Sequence, residues 1–246
     1  MVKTHAIHKV FRDAKKQIVA VNNVDFAAEP GEIHALLGVN GAGKTTLLRM
    51  LSTIIRPTSG TATVAGYDVG AHAAKIRESI GFLSTSTALY GRLTGREMLA
   101  YFGGLYGFTG SDLKSKVSSA IEQTKASEFC DQLCDRMSTG QKQRISIARA
   151  IIHNPPVLLF DEPTAGLDLL AAQTVLEFIE AARTQGKTVI FSTHIMSEVE
   201  RLADRITVIH QGEIKGTGTL PDLYNQTGES TAEKVFLRLI KTGAEQ

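Results

Sequence analysis

The sequence contains no apolar run near the roughly 20 residues that a bilayer-spanning helix needs. Its start, MVKTHAIHKVFRDAKK, has no apolar centre of the kind a secretory signal carries, so the chain is expected in the cytoplasm. It has only two cysteines, Cys130 and Cys134, in a charged segment that reads as helical and offers no partner His or Cys at ligand spacing. Metal and redox work by these thiols is set aside, and both are expected reduced. Charge of one sign is lacking too: 27 Lys and Arg face 25 Asp and Glu with no long basic block, so no nucleic-acid partner is expected. No internal repeat or low-complexity tract appears.

What remains is an α/β pattern. The stretches THAIHKVF and QIVAVNNVDF alternate apolar and polar and read as strands joined by the loop RDAKK. GEIHALL then runs apolar into GVNGAGKTT, and KTTLLRMLSTII has helical spacing, giving strand, loop and helix. PTSGTATVAG predicts short strands of a small antiparallel sheet. From about 85 to 137 helical periods dominate. PVLLF and TVIFST return to strands, RITVIHQGEIKGTG reads as a hairpin turning at Gln211–Gly212, and TAEKVFLRLIKTG reads as a tail helix. Strands alternating with helices imply a mainly parallel sheet covered on both faces. We expect one domain over 1–246: an ATPase-type core from 1–84 and 138–220, a helical subdomain at 85–137 and a tail helix at 221–246.

Three stretches carry chemistry. In GVNGAGKTT the spacing Gly38, Gly43, Lys44, Thr45 is that of a phosphate loop, in which backbone N–H groups of Asn40, Gly41, Ala42, Gly43 and Thr46 cradle phosphates at a helix N-terminus. Lys44 would reach the β- and γ-phosphates of ATP, and the Thr45 hydroxyl would ligate Mg²⁺. In PVLLFDEP an apolar strand delivers Asp161 and Glu162 to its end, where two buried carboxylates are costly without a cation, water or donor. Asp161 would hold Mg²⁺ through water and Glu162 would be the general base for an attacking water; the plainer reading is that both cap the turn at Pro163. In MSTGQKQRISIARAII, Ser138 and Gln141 form a capping box; the plain reading is a well-capped helix, and the sharper one is that its glycine-containing N-terminus is a second anion site.

Taken in order, GVNGAGKTT, STGQKQRISIARAII, LLFDEPTAGLD and VIFSTH resemble the nucleotide-binding subunits of ATP-binding-cassette (ABC) transporters over almost the whole chain. The resemblance implies that two cassettes close head to tail around two ATP molecules. Ser138, Thr139, Gly140 and Gln141 of one copy would then meet the nucleotide held by the other. It implies that His194 is a switch histidine contacting the γ-phosphate, that Asp168 lies in a segment crossing the dimer interface, and that Phe11 stacks on adenine. Two positions depart from the pattern: Thr85 replaces a glutamine that links Mg²⁺ to the helical insertion, and Thr139 replaces the first of two glycines.

Within the family the resemblance is to ATPases of ABC-2-type exporters, with Na⁺ extrusion as the implied cargo. The implied partners are an integral-membrane permease and a second ABC subunit, identical or not, placing the chain on the cytoplasmic face of the membrane. Tyr90 and Arg92 are expected to face the permease. Two alternatives are kept. A non-transport ABC ATPase of translation or DNA repair usually carries paired cassettes, a long coiled coil, zinc cysteines or basic arms. A GTPase or small-molecule kinase would show an Asn-Lys-x-Asp segment or have no need of STGQ.

Overall fold

The alternating run at the start of the chain forms a long ribbon, β1 (Val2–Asp13) against β2 (Lys16–Ala28), paired antiparallel. The computed structural model describes residues 1–13, 16–84 and 88–242. The pairing continues through Arg12↔Gln17 and Asp13↔Lys16, so most of the RDAKK segment expected as a loop extends the two strands. Along the second half of β2, Val21, Val24, Phe26 and Ala28 are buried between exposed neighbours, the period-two pattern of a sheet with one covered face. With β4 (Ser59–Val64) and β5 (Tyr67–Asp68) the ribbon completes a four-stranded antiparallel sheet in the order β2-β1-β4-β5.

A second sheet has six strands in the order β10-β9-β3-β8-β7-β6: β3 (Ile33–Leu37), β6 (Ile80–Leu83), β7 (Val157–Asp161), β8 (Thr188–Thr193), β9 (Arg205–His210) and β10 (Glu213–Gly218). Its strands run parallel except for the β9–β10 hairpin, which turns with Gln211 at φ 50° and Gly212 at φ 81°. Every residue of β3, β7 and β8 is buried, as strands covered on both faces require. The pleat divides them: Ile33, Ala35, Leu37, Leu158 and Phe160 join one apolar cluster, while Leu36, Val157 and Leu159 join another on the opposite face. The architecture is the α/β one expected, a mainly parallel sheet with a smaller antiparallel sheet beside it.

Helices fill the connections: α1 (Lys44–Leu51), α2 (Ala73–Ser79), α3 (Gly95–Leu105), α4 (Gly110–Gln123), α5 (Thr139–Ile151), α6 (Leu169–Thr184) and α7 (Met196–Leu202). Helix α3 starts at a capping box, with the Thr94 hydroxyl accepting from Glu97 N–H and the Glu97 carboxylate accepting from Thr94 N–H. Helix α4 stops at Thr124 because Lys125 takes φ 53°, so Cys130 lies in turns and Cys134 in a single 3₁₀ turn, rather than in the helix expected. Both thiols are free and buried, and burial raises their pKa, which makes them inert. The tail carries two helices where one was expected, α8 (Leu220–Thr227) and α9 (Ala232–Thr242), because Gly228 turns left-handed at φ 71° between them. Helix α9 buries Val235, Phe236 and Leu239 against the main core.

Candidate nucleotide site

Residues 38–43 link β3 to α1, and the backbone is pressed from two sides. A Cβ on Gly38 would stand 2.4 Å from the Ile209 carbonyl oxygen, and one on Gly43 would stand 2.5 Å from that of Ala20. Gly43 also takes φ 108°, a conformation side chains disfavour. It caps α1 without a side-chain acceptor, and no acidic residue occupies the first turn. The N–H groups and positive dipole end of α1 therefore stay available to an anion.

Lys44 opens that helix and is 4% exposed. Its ammonium donates to the Gly38 carbonyl at 2.7 Å and the Val39 carbonyl at 3.2 Å, and pairs with Glu162 Oε1 at 3.3 Å. The Thr45 hydroxyl donates to Asp161 Oδ1 at 2.9 Å, and the Ser192 hydroxyl donates to the same oxygen at 2.8 Å. Asp161 Oδ2 is buried and has no hydrogen-bond partner among the described residues. A buried carboxylate oxygen with free lone pairs is an acceptor awaiting a cation or a water. The sheet register explains the cluster: Asp161 at the end of β7 pairs with Ser192 on β8.

Glu162 leaves β7 with φ 45°, a strained conformation for a residue with a Cβ, held by its N–H donating to Ser192 Oγ at 2.9 Å. Its carboxylate spans two partners, Lys44 on Oε1 and His194 Nδ1 at 3.5 Å from Oε2. His194 lies between β8 and α7 and is about half exposed. Lys44, Thr45, Asp161, Glu162 and His194, scattered over 150 positions of sequence, thus converge on one place.

An adjoining cleft of about 380 Å³ is lined by Asn40, Gly41, Ala42, Gly43, Thr46 and Ile18, together with Val19, Ala20, Lys44, Thr45 and Glu162. Phe11 is not among its lining residues. It sits across the ladder from Ile18, 43% exposed, with the Lys9 ammonium 5.2 Å from its ring centre. Ile18, Val19 and Ser192 escaped the sequence reading. The first two look like ordinary strand residues, and the only trace of Ser192 was a polar residue in a strand otherwise bound for the core.

The capping box at the start of α5 is built as expected, and it stands away from the phosphate cleft. The Ser138 hydroxyl accepts from Gln141 N–H at 3.2 Å, and Gln141 Oε1 accepts from Ser138 N–H at 2.9 Å. Ser138 and Thr139 are exposed, and none of residues 138–141 lines the phosphate cleft. Gly140 faces α6, where a Cβ would meet that of Ala171 at 2.7 Å. Asp168 caps α6, accepting from Ala171 N–H at 2.9 Å, and the following Leu169 and Leu170 are 83% and 75% exposed. Thr85 lies outside the described residues.

A further groove of about 390 Å³ is lined by Ile54, Arg77, Phe82, Tyr90, Phe102 and Arg149, among others, but not by Arg92. The Arg149 guanidinium rests 5.1 Å from the centre of the Phe102 ring, and burial lowers its pKa. It has no carboxylate partner among the described residues. No described helix is long and apolar enough to cross a membrane.

The family model described as "ABC transporter" matches residues 21–165. Among curated proteins, the chain is 38% identical to the ABC transporter ATP-binding protein NatA of Bacillus subtilis (strain 168), over 95% of each chain. It is also 38% identical to the linearmycin resistance ATP-binding protein LnrL of the same organism, over 94% of this chain and 73% of that one. Among solved structures, an ATP-binding subunit of an ABC transporter superposes with a TM-score of 0.86 at 26% identity, covering 98% of this chain and 99% of that one. A dimeric ATP-binding cassette in a post-hydrolysis state with ADP and Pi superposes at 0.81 and 26% identity, covering 89% and 99%.

Proposed function

We infer the working cycle from one premise: this chain belongs to the ABC transporter family, as an ATP-binding and ATP-hydrolysing subunit of an exporter-type transporter. The observation that carries the reading is the convergence of Lys44, Thr45, Asp161, Glu162 and His194 beside the phosphate loop. ATP enters with its phosphates on the N–H groups at the start of α1 and its terminal phosphate on Lys44. The adenine then lies toward Ile18 and Val19, with Phe11 on the neighbouring strand. Glu162, released from Lys44 by the incoming phosphate, accepts a proton from the attacking water, and His194 orients that phosphate.

Mg²⁺ fits the residues present, because Asp161 offers a buried unpartnered oxygen next to the Thr45 hydroxyl. Thr45 would hold the ion directly and Asp161 through water, and its charge would offset that of the phosphates. The Ser138–Gln141 helix end has no place in its own cleft, which supports its use by a second copy. There its N–H groups would close on the nucleotide, with Asp168 in the contact between copies.

The groove at Tyr90, Phe102 and Arg149 is the surface we assign to a membrane partner. A half-buried guanidinium with no carboxylate partner among the described residues fits an acidic side chain on an apolar helical segment of that partner. Arg92, expected there from sequence, does not line the groove. The subunit would then sit on the cytoplasmic face of the membrane, and cargo, Na⁺ included, would be selected by the permease and not by this chain. A non-transport role in translation or DNA repair has no observation in its favour.

The test is a pull-down of the tagged chain from gently solubilised membranes. Recovery of a multi-span membrane protein, lost with Arg149→Glu, supports the reading. Recovery of ribosomal or DNA-associated proteins instead overturns it.

A further inference from the structure

Glu198 is a carboxylate the cycle above does not use, and it is 4% exposed in the first turn of α7. Among the described residues, no cation pairs with it. Its Oε1 accepts from the Thr164 hydroxyl, and its Oε2 accepts from the Thr193 hydroxyl at 2.5 Å. Thr164 follows Glu162 by two positions, and Thr193 immediately precedes His194. Thr193 Oγ1 accepts in turn from the N–H of Ile195, so its hydroxyl fastens both flanks of His194. One buried side chain therefore holds the loop that bears the base and the loop that bears the switch histidine.

We propose that Glu198 is a positioning residue for ATP hydrolysis, fixing the Glu162–His194 geometry through Thr164 and Thr193; the proposal rests on the function assigned above to those two residues. Placing a carboxylate in a core without a cation is costly, so the site must need what only a carboxylate offers. That need is two acceptor oxygens and no donor. Each threonine hydroxyl has one proton to give, and both protons go to Glu198. A glutamine of the same shape would turn an NH₂ group toward one threonine, leaving that hydroxyl proton without an acceptor and its loop free to shift. The pair it would loosen is already at the edge of contact, 3.5 Å between His194 Nδ1 and Glu162 Oε2, with Glu162 in a strained backbone conformation. Small displacements there matter, since about 1 Å of misplacement can cost on the order of 100-fold in rate. Lys44 bonds to neither threonine, and the phosphate loop meets Thr193 only through backbone, with Gly38 N–H donating to the Thr193 carbonyl at 3.3 Å, so losing the side-chain links to Glu198 should spare nucleotide affinity.

The experiment compares steady-state ATP hydrolysis and ATP affinity in the wild-type chain, Glu198→Gln, Thr193→Val, their combination, and Glu162→Gln. The expected result is a fall in kcat of about 10- to 100-fold in Glu198→Gln and in Thr193→Val, with KM for ATP within about twofold of wild type. The double variant should be no slower than the slower single one, because both break the same link. Glu198→Asp, which keeps the charge and both acceptors, should recover part of the loss. Full kcat in Glu198→Gln, or losses that multiply in the double variant, would overturn the proposal while Glu162→Gln stays inactive. Wild-type turnover in Glu162→Gln would instead overturn the base assignment, and this proposal with it.

Discussion

Replacing Glu162 by glutamine should tighten ATP binding as well as stop hydrolysis, and the size of the tightening can be worked out. The carboxylate sits 3.3 Å from the Lys44 ammonium, where the terminal phosphate of ATP would lie. At an effective dielectric of 20, Coulomb's law places about 5 kcal/mol on that contact. Screening by solvent is small, since Lys44 is 4% and Glu162 19% exposed. Only part of this is recovered on substitution. Lys44 keeps its bonds to the Gly38 and Val39 carbonyls, and glutamine still accepts a hydrogen bond. A net gain of about 1–2 kcal/mol is reasonable, which is roughly 5- to 30-fold in Kd. Isothermal titration with ATP and with ADP separates this effect from general stabilisation, because only ATP brings a phosphate to the place the carboxylate held. Turnover should fall by about 10² to 10⁴. Unchanged ATP affinity, or equal tightening for ADP, would refute the competition between carboxylate and phosphate.

Three further outcomes follow from other contacts. Asp168→Ala removes the cap on α6 and should lower stability by about 1 kcal/mol, roughly 2–4 °C in Tm, read by thermal unfolding. Phe236→Ala, in a core position of α9 that also lines a cavity beside His194, should cost about 3–5 kcal/mol; a chemical denaturation curve with an unmoved midpoint would contradict that packing. Burial holds the His153 imidazole down at about 4 against its ordinary 6.5, so the unfolded chain takes a proton across that window while the folded chain refuses it. Its stabilising share is complete above pH 6.5 and is lost as pH falls toward 4. His153→Phe, which keeps the stack on Tyr106, should flatten that acid-side slope in Tm against pH.

The parts legible in sequence were those whose physics is local. A phosphate loop declares itself in nine residues, a buried strand ending in Asp161 and Glu162 in eight, and the Ser138–Gln141 capping box in four. Each is set by backbone geometry or by neighbours within one turn. What stayed hidden depends on register between distant strands. Ser192 reaches Asp161 only because β7 and β8 pair side by side. Ile18 lines the cleft because the β1–β2 ladder sets which strand lies nearer the loop. The ends of helices were misjudged where one residue, Lys125 or Gly228, takes a left-handed conformation that no periodicity announces. Arg149 looked like an ordinary helix residue until Phe102 was seen beneath it.

The exposed helix end at Ser138 and Thr139, absent from the cleft that holds Lys44, bears on how the protein is handled. On the reading proposed above, every molecule carries two complementary halves that it cannot join by itself, so turnover per molecule is a property of encounter. Rates should climb faster than protein concentration in dilute solution and level off once pairs predominate. A stock diluted for a sensitive assay would pass for a poor enzyme, and tethering two copies in one chain would abolish the dependence.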